Sequence, residues 1–118
     1  GVMFYMAANT QANIENSATI TLTPPAAGTY AGMTFFSSRA TTGRTHTING
    51  GWGSTFDGAI YAPTSRLQFM GNFSTPFTGC SQIVADDIMF GNFAVMTLHC
   101  LFPVGPVASS SGTVAIVE

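Results

Sequence analysis

Charged side chains are scarce in this sequence of 118 residues. Asp, Glu, Lys and Arg make up 7% of it, against about a quarter in typical globular domains, and lysine is absent. The net charge of −2 provides no basic patch for nucleic acid and no polybasic cluster for a membrane surface. Solubility must come from hydroxyls and amides, including 26 Ser and Thr residues. This composition favours a sheet that is exposed outside the cell.

Long apolar segments are also missing. The most apolar window, residues 93–108, is interrupted by a histidine and two prolines, whereas a membrane-spanning helix needs about 20 apolar residues. We expect no signal peptide within these residues, because Gly1 leads directly into an apolar strand. We expect residues 1–118 to form a single domain that is a mature or excised C-terminal portion of a longer protein.

What the sequence does contain is a loosely repeated unit. The unit is clearest in residues 79–98, where a strand, a short second strand, a Gly-Asn turn and a third strand follow one another. The strand-opening positions of four successive passes recur at an interval that shortens along the chain: Gly1, Gly32, Gly58 and Ser81. The turn asparagines recur at a shortening interval as well: Asn16, Asn49, Asn72 and Asn92. A drifting period between roughly 20 and 50 residues, without helical stretches, is typical of a solenoid.

The predicted fold is therefore all-β, a short right-handed parallel β-helix (β-solenoid) of about four coils. Prolines mark the ends of predicted strands, because proline cannot donate to a β-ladder. Pro24 ends the alternating strand Ala18–Thr23, and Pro63 ends the first strand of the third coil. Asn9 is the residue best suited to the first turn. Later strands are predicted at residues 81–85, 88–90, 93–98 and 113–117.

Several segments carry a resemblance to a known family. The most specific is Gly79-Cys80-Ser81-Gln82-Ile83-Val84-Ala85-Asp86, and the others are Gly1-Val2-x-Phe4-Tyr5, Tyr30-Ala31-Gly32, His46–Gly51, Gly58–Pro63 and Val117-Glu118. Together they resemble the C-terminal region of TadG-like proteins, which are associated with Flp (tight-adherence) pilus assembly in bacteria. The resemblance implies an envelope or secreted location, a membrane-anchored portion upstream, and a non-enzymatic role.

The two cysteines fit an oxidising compartment. Cys100 follows Cys80 by one repeat, as judged from the interval between passes in this part of the chain. Stacking of successive passes would bring their Cα atoms into the range of about 4.4–6.8 Å that a disulfide accepts. Closing this loop would contribute about 3 kcal/mol. We predict a disulfide, and the alternative is two buried thiols.

The candidate catalytic and metal-binding residues match no motif. His99 directly precedes Cys100, but neighbouring strand residues point to opposite faces and do not form a dyad. The two histidines and three aspartates lack metal-ligand spacing. Asp57 and Asp86-Asp87 resemble the carboxylate clusters of polysaccharide-cleaving β-helix enzymes, although each is predicted to cap a turn. We therefore predict no enzyme, no cofactor and no metal, with a polysaccharide-cleaving enzyme as a remote alternative.

Apolar strands near both ends of the chain suggest assembly. A parallel β-helix has unpaired backbone groups on its first and last coils, and natural proteins either cap such edges or use them for association. No amphipathic capping helix is visible in the sequence. We predict self-association, end to end or by strand exchange, through five residues: Val2, Phe4, Met6, Val114 and Ile116.

The predicted function is that of a structural module at the bacterial cell surface or in the periplasm. It would form an extracellular fibre or pilus-associated assembly with copies of itself or with other envelope proteins. The alternative is a monomeric adhesive head that recognises glycan through its Ser- and Thr-rich faces.

Overall fold

The computed structural model describes residues 1–51, 54–71, 82–92 and 94, without the side chains of residues 16 and 17. All secondary-structure elements within these residues are β-strands. In chain order the strands are β1 Phe4–Met6, β2 Asn13–Ala18, β3 Thr21–Leu22, β4 Met33–Ser37, β5 Thr45–Gly50, β6 Thr55–Phe56, β7 Ala59–Met70 and β8 Ile83–Phe90.

Six of these strands form one sheet in the order β1-β4-β7-β5-β2, with β8 also paired to β7. Strands β3 and β6 form a separate two-stranded sheet. All six pairings are parallel. Strand β7 is central, because β4 pairs with its beginning and β5 with its end, while β8 follows its opposite edge.

The prediction of a right-handed parallel β-helix of about four coils is wrong. The main sheet curls into a half-barrel, and the described strands do not close into separate coils. The reason lies in β7 and β8, each of which was predicted as two shorter strands. Each continues as one strand, of 12 and 8 residues respectively, so the sheet bends gradually where a β-helix would turn a corner.

Pro63 is accommodated inside β7 because it lies where the pairing changes. Strand β4 pairs with β7 as far as Tyr61, and β5 pairs with it from Arg66 onward. The register between β7 and β8 also shifts between Ala62 and Arg66. The missing N–H of Pro63 is therefore not needed for a ladder hydrogen bond, and the proline does not end the strand.

The predicted turn asparagines occupy two kinds of position. Asn9 and Asn92 have φ values of 63° and 52°, in the left-handed region that asparagine tolerates in turns. Asn16 and Asn49 lie inside β2 and β5, so predicting them as turn residues was wrong. Asn72 lies outside the described residues.

The predicted strand Ala18–Thr23 is also divided differently in the structure. Strand β2 ends at Ala18, and β3 contains only Thr21 and Leu22. Alternation of polar and apolar residues indicated extended backbone here without locating the bend. The predicted strands at residues 93–98 and 113–117 lie outside the part of the chain that is described.

The hydrophobic core is formed mainly by the inward positions of the middle strands. Strand β5 alternates strictly between half-buried and buried residues, and β7 does so over most of its length. The buried apolar residues are Phe35, Ile48, Phe56, Ile60, Ala62, Leu67 and Phe69. Half-buried residues from the earliest and latest strands pack against them: Met6, Ala12, Ile14, Leu22, Ile83, Ala85 and Ala94. The inward side chains are thus buried more completely in the middle of the sheet than at its edges.

Two of the strand-opening glycines adopt a backbone conformation with positive φ, which glycine tolerates better than other residues. Gly32 and Gly58 have positive φ values of 78° and 96°. The N–H of Ala59 donates to the carbonyl of Gly32 at 2.8 Å, so the two turns are adjacent. A Cβ atom on Gly58 would lie 2.9 Å from that carbonyl oxygen, which leaves no room for a side chain.

Candidate assembly surfaces

The first candidate surface, called the first edge below, consists of β1 and β2. Among the described residues, β1 pairs only with β4 and β2 only with β5, so each has one unpaired side. Three large apolar residues at or just before β1 are exposed: Val2 (55%), Phe4 (40%) and Tyr5 (55%). Of the predicted association residues, Val2 and Phe4 are thus exposed, whereas Met6 is half-buried against the core. Val114 and Ile116 lie outside the described residues.

The second candidate surface, called the last edge below, is β8. It pairs only with β7 within the described part of the chain. Four of its large apolar residues are exposed, namely Val84, Ile88, Met89 and Phe90, at 39–48%. The sequence pattern predicted strand for these residues but did not assign them to an interface. The run Ile88-Met89-Phe90 could have indicated an interface, because consecutive apolar residues place apolar side chains on both faces of a strand.

Parallel pairing places equivalent residues of the passes in columns that cross the sheet. One core column contains Phe4, Phe35, Ile60 and Ile83. A second core column contains Ile14, Ile48, Phe69 and Phe90. In each column the two middle residues are fully buried, while the end residues are exposed or half-buried. Both columns therefore have apolar side chains at both ends.

The outward-facing aromatic column contains Tyr5, Phe36, Tyr61 and Val84. Tyr5 stacks on Phe36 with ring centroids 5.5 Å apart and an interplanar angle of 8°. Phe36 stacks on Tyr61 at 5.3 Å and 20°. Both faces of Phe36 are therefore covered by neighbouring rings, and Tyr5 at the end of the column presents one ring face that is not stacked on the ring of another described residue.

Charged groups are placed unequally on the two edges. The chain before Glu15 contains no charged side chain, and Glu15 itself accepts a hydrogen bond from Nδ2 of Asn13 at 2.6 Å. On the last edge, Asp86 and Asp87 lie in the middle of β8, and Asp87 forms a salt bridge with Arg66 of β7 at 2.6 Å. The prediction that Asp86 caps a turn is therefore wrong. The last edge is acidic, and the first edge is nearly neutral.

His46 is one of the two histidines that were considered for a metal site, and it is the one that the structure describes. Its side chain is fully buried; Nδ1 accepts a hydrogen bond from the N–H of Ala12 at 3.1 Å. Nε2 must then carry the ring proton, and its N–H donates a hydrogen bond to Oγ of Ser37, also at 3.1 Å. Burial lowers the pKa of His46, which favours this neutral form. His46 thus connects β5 to β4 and to the chain before β2.

The other candidate residues do not converge on His46. The backbone of Asp57 is held by hydrogen bonds to Leu22 and Thr34, and Asp86-Asp87 lie on β8. No group of three His, Cys, Asp or Glu residues among the described positions is arranged to hold a metal ion. Cys80, His99 and Cys100, including the predicted disulfide, lie outside the described residues.

Comparison with protein-family models, with curated proteins and with solved structures finds no match in any of the three. No helix in the described part of the chain is long and apolar enough to cross a membrane. The described residues form a curled parallel sheet with two apolar edges that no other described strand pairs with. Its function has to be inferred from those edges.

Proposed function

We propose that this protein is a non-enzymatic structural module that self-associates into an extracellular fibre or pilus-associated assembly on the bacterial cell surface. The observation that carries the proposal is the presence of large exposed apolar side chains on both open edges of the sheet. A strand edge of this kind offers unpaired N–H and C=O groups together with apolar contacts. Strand addition by another chain would satisfy both.

The edges also lack most of the devices that keep sheet proteins monomeric. Such proteins protect their edges with lysine, proline or charged side chains that point inward. Lysine is absent from this chain, and the segment before Glu15 contains neither proline nor a charged side chain. On β8 the only charged residues are Asp86 and Asp87, and Arg66 already pairs with one of them. The first edge in particular is unprotected.

The proposed location and partners follow from composition and resemblance. Scarce charge and abundant hydroxyls suit an exposed sheet outside the cytoplasm, and the likeness to TadG-like pilus assembly proteins favours the bacterial envelope. The partners are then copies of this chain or other envelope proteins. We assign no catalytic role, because the ring nitrogens of His46, the described side chain with a shifted pKa, are both used in structural hydrogen bonds.

Light scattering after size exclusion, with negative-stain microscopy, tests the proposal. The unmodified chain should form concentration-dependent species larger than 12.3 kDa. Met89→Lys places a charge on an exposed position of β8 and should shift the protein to the monomer. Tyr30→Lys is the matched control, because Tyr30 is equally exposed but lies on neither edge. A monodisperse monomer without fibres at every concentration of the unmodified chain would overturn the proposal.

A further inference from the structure

We infer that the joint between copies is head-to-tail and has a defined register, with β8 of one copy paired in parallel with β1 and β2 of the next. In this register Ile83 lies over Phe4, Val84 over Tyr5, and Phe90 over Ile14 of the second copy. The inference rests on the proposed self-association. It adds the polarity of the assembly and the residues that meet.

The register follows from pairings within the chain. Strand β1 pairs with β4, β4 with β7, and β7 with β8, each time in parallel and with the same columns in line. Placing β8 of one copy against β1 of the next repeats this step once more. Strand β2 receives the end of β8 in the same way, because β2, β5, β7 and β8 share the column that ends in Phe90. One translation therefore aligns the three columns that reach β8, namely those of Phe4, Tyr5 and Ile14.

The column ends are chemically suited to this contact. Phe4 is 40% exposed, although Phe35 and Ile60 in its column are buried, so no described strand covers the core at this end. Ile83 of a second copy would supply that cover. In the outward column, Tyr5 stacks on Phe36 with one ring face and is 55% exposed. The methyl groups of Val84 would pack on its other face, as branched side chains pack against aromatic rings across strands.

Charge favours this polarity over a two-fold joint between two β8 strands. If two β8 strands paired antiparallel with full overlap, Asp86 of each copy would face Asp87 of the other, since both lie at the centre of Ile83–Phe90. Like charges directly opposite each other destabilise a strand pair. In the head-to-tail register the two aspartates instead face the region of residues 7–11, which carries no charge. A head-to-tail contact also leaves the next edge free, so the assembly can continue as a fibre.

Photo-cross-linking can test the register in the full chain. The photoreactive residue p-benzoyl-L-phenylalanine replaces Tyr5 at the first edge. In a matched control it replaces Tyr30, which is exposed but not at an edge. Each protein is mixed with isotope-labelled unmodified chain, irradiated and digested, and mass spectrometry then identifies the cross-linked peptides. The label distinguishes bonds between copies from bonds within one copy.

The expected result is a cross-link from position 5 to residues 83–90 of a labelled copy, and its loss when the probe is at position 30. Cross-links between the first edges of two copies would overturn the inference in favour of a two-fold joint. A cross-link from position 5 to residues 95–118 would overturn it as well, because the first edge would then be covered by that segment.

The same samples separate this inference from the proposed function. If light scattering shows assemblies but position 5 gives no cross-link to β8, the register is wrong and self-association stands. If light scattering shows only monomer for unmodified and probe-carrying chains alike, the proposed function fails, and the inference fails with it.

Discussion

The middle and the edges of the sheet are built from similar residues but placed in different surroundings. In β5 and β7 the inward positions are buried, and polar side chains such as His46 and Ser65 have hydrogen-bond partners. In β1 and β8, residues of the same columns are exposed or half-buried. Chemical type alone does not explain the contrast, since Phe69 and Phe90 are both phenylalanines. What differs is whether a strand lies on both sides.

This difference shows what an additional strand would contribute. Phe69 is 1% exposed and Phe90 is 48% exposed, although their rings stack at 5.5 Å with an interplanar angle of 16°. A strand placed against β8 would bring Phe90 closer to the environment of Phe69. Association would then be favoured by apolar burial in addition to backbone hydrogen bonds.

The largest expected effect compares these two rings directly. Phe69→Ala should lower the free energy of unfolding by about 3–5 kcal/mol, because it leaves a cavity in a sealed core. Phe90→Ala should cost about 1–2 kcal/mol in the monomer, because only half of its surface is buried and one ring contact is lost. Urea denaturation at protein concentrations low enough to keep the chain monomeric measures both. Equal losses for the two variants would mean that β8 is already covered within one chain.

Sequence patterns predicted much of the local structure in the middle of the sheet. The spacing of the strand-opening glycines indicated parallel passes, and Gly32 and Gly58 do open β4 and β7 with positive φ. The prediction of a β-helix was wrong because strand ends were placed at Pro63 and between Ala85 and Ile88, where β7 and β8 each continue as one strand. Proline was read as a strand end, but its missing N–H does no harm where β7 changes partners. Pairing across the sheet, which one sequence does not reveal, determined that outcome.

The candidate surfaces were predicted only in part. Val2 and Phe4 could be identified because they belong to an apolar run, residues 2–6, that lacks polar alternation. The exposed positions of β8 could not be identified in this way, since Val84 and Ile88 are as apolar as core residues. Their exposure depends on which strands lie beside β8. Hydrophobicity alone does not contain that information.

A smaller effect is expected at His46, which ties the middle of the sheet to the segment before β2. His46→Phe keeps a ring of similar size but leaves the N–H of Ala12 and the hydroxyl of Ser37 without this partner. The loss in free energy of unfolding should be about 1–3 kcal/mol at neutral pH. Ser37→Ala, which removes only the Nε2 contact, is the matched control and should cost less. No loss in His46→Phe would show that these bonds do not hold the segment.

The same residue predicts a dependence of stability on pH. Because burial lowers the pKa of His46 in the folded state, the unfolded state binds more protons as the pH falls below about 6.5. The contribution of His46 is therefore fully present above that pH and is lost as the pH falls toward the lowered folded pKa. Urea denaturation at a series of pH values should show this decline in the unmodified chain relative to His46→Phe. Parallel curves for the two proteins would contradict the prediction.

The smallest effect is expected for the ion pair that joins β7 to the last edge. Arg66 and Asp87 are about half exposed, so water and salt weaken their attraction. A double-mutant cycle with Arg66→Gln and Asp87→Asn should give a coupling energy of about 0.2–1 kcal/mol, which high salt reduces. A coupling well above that range and insensitive to salt would mean that the pair is shielded from solvent. In that case β8 would be covered by another part of the same monomer, and the contrast between an exposed last edge and a buried middle of the sheet would be wrong.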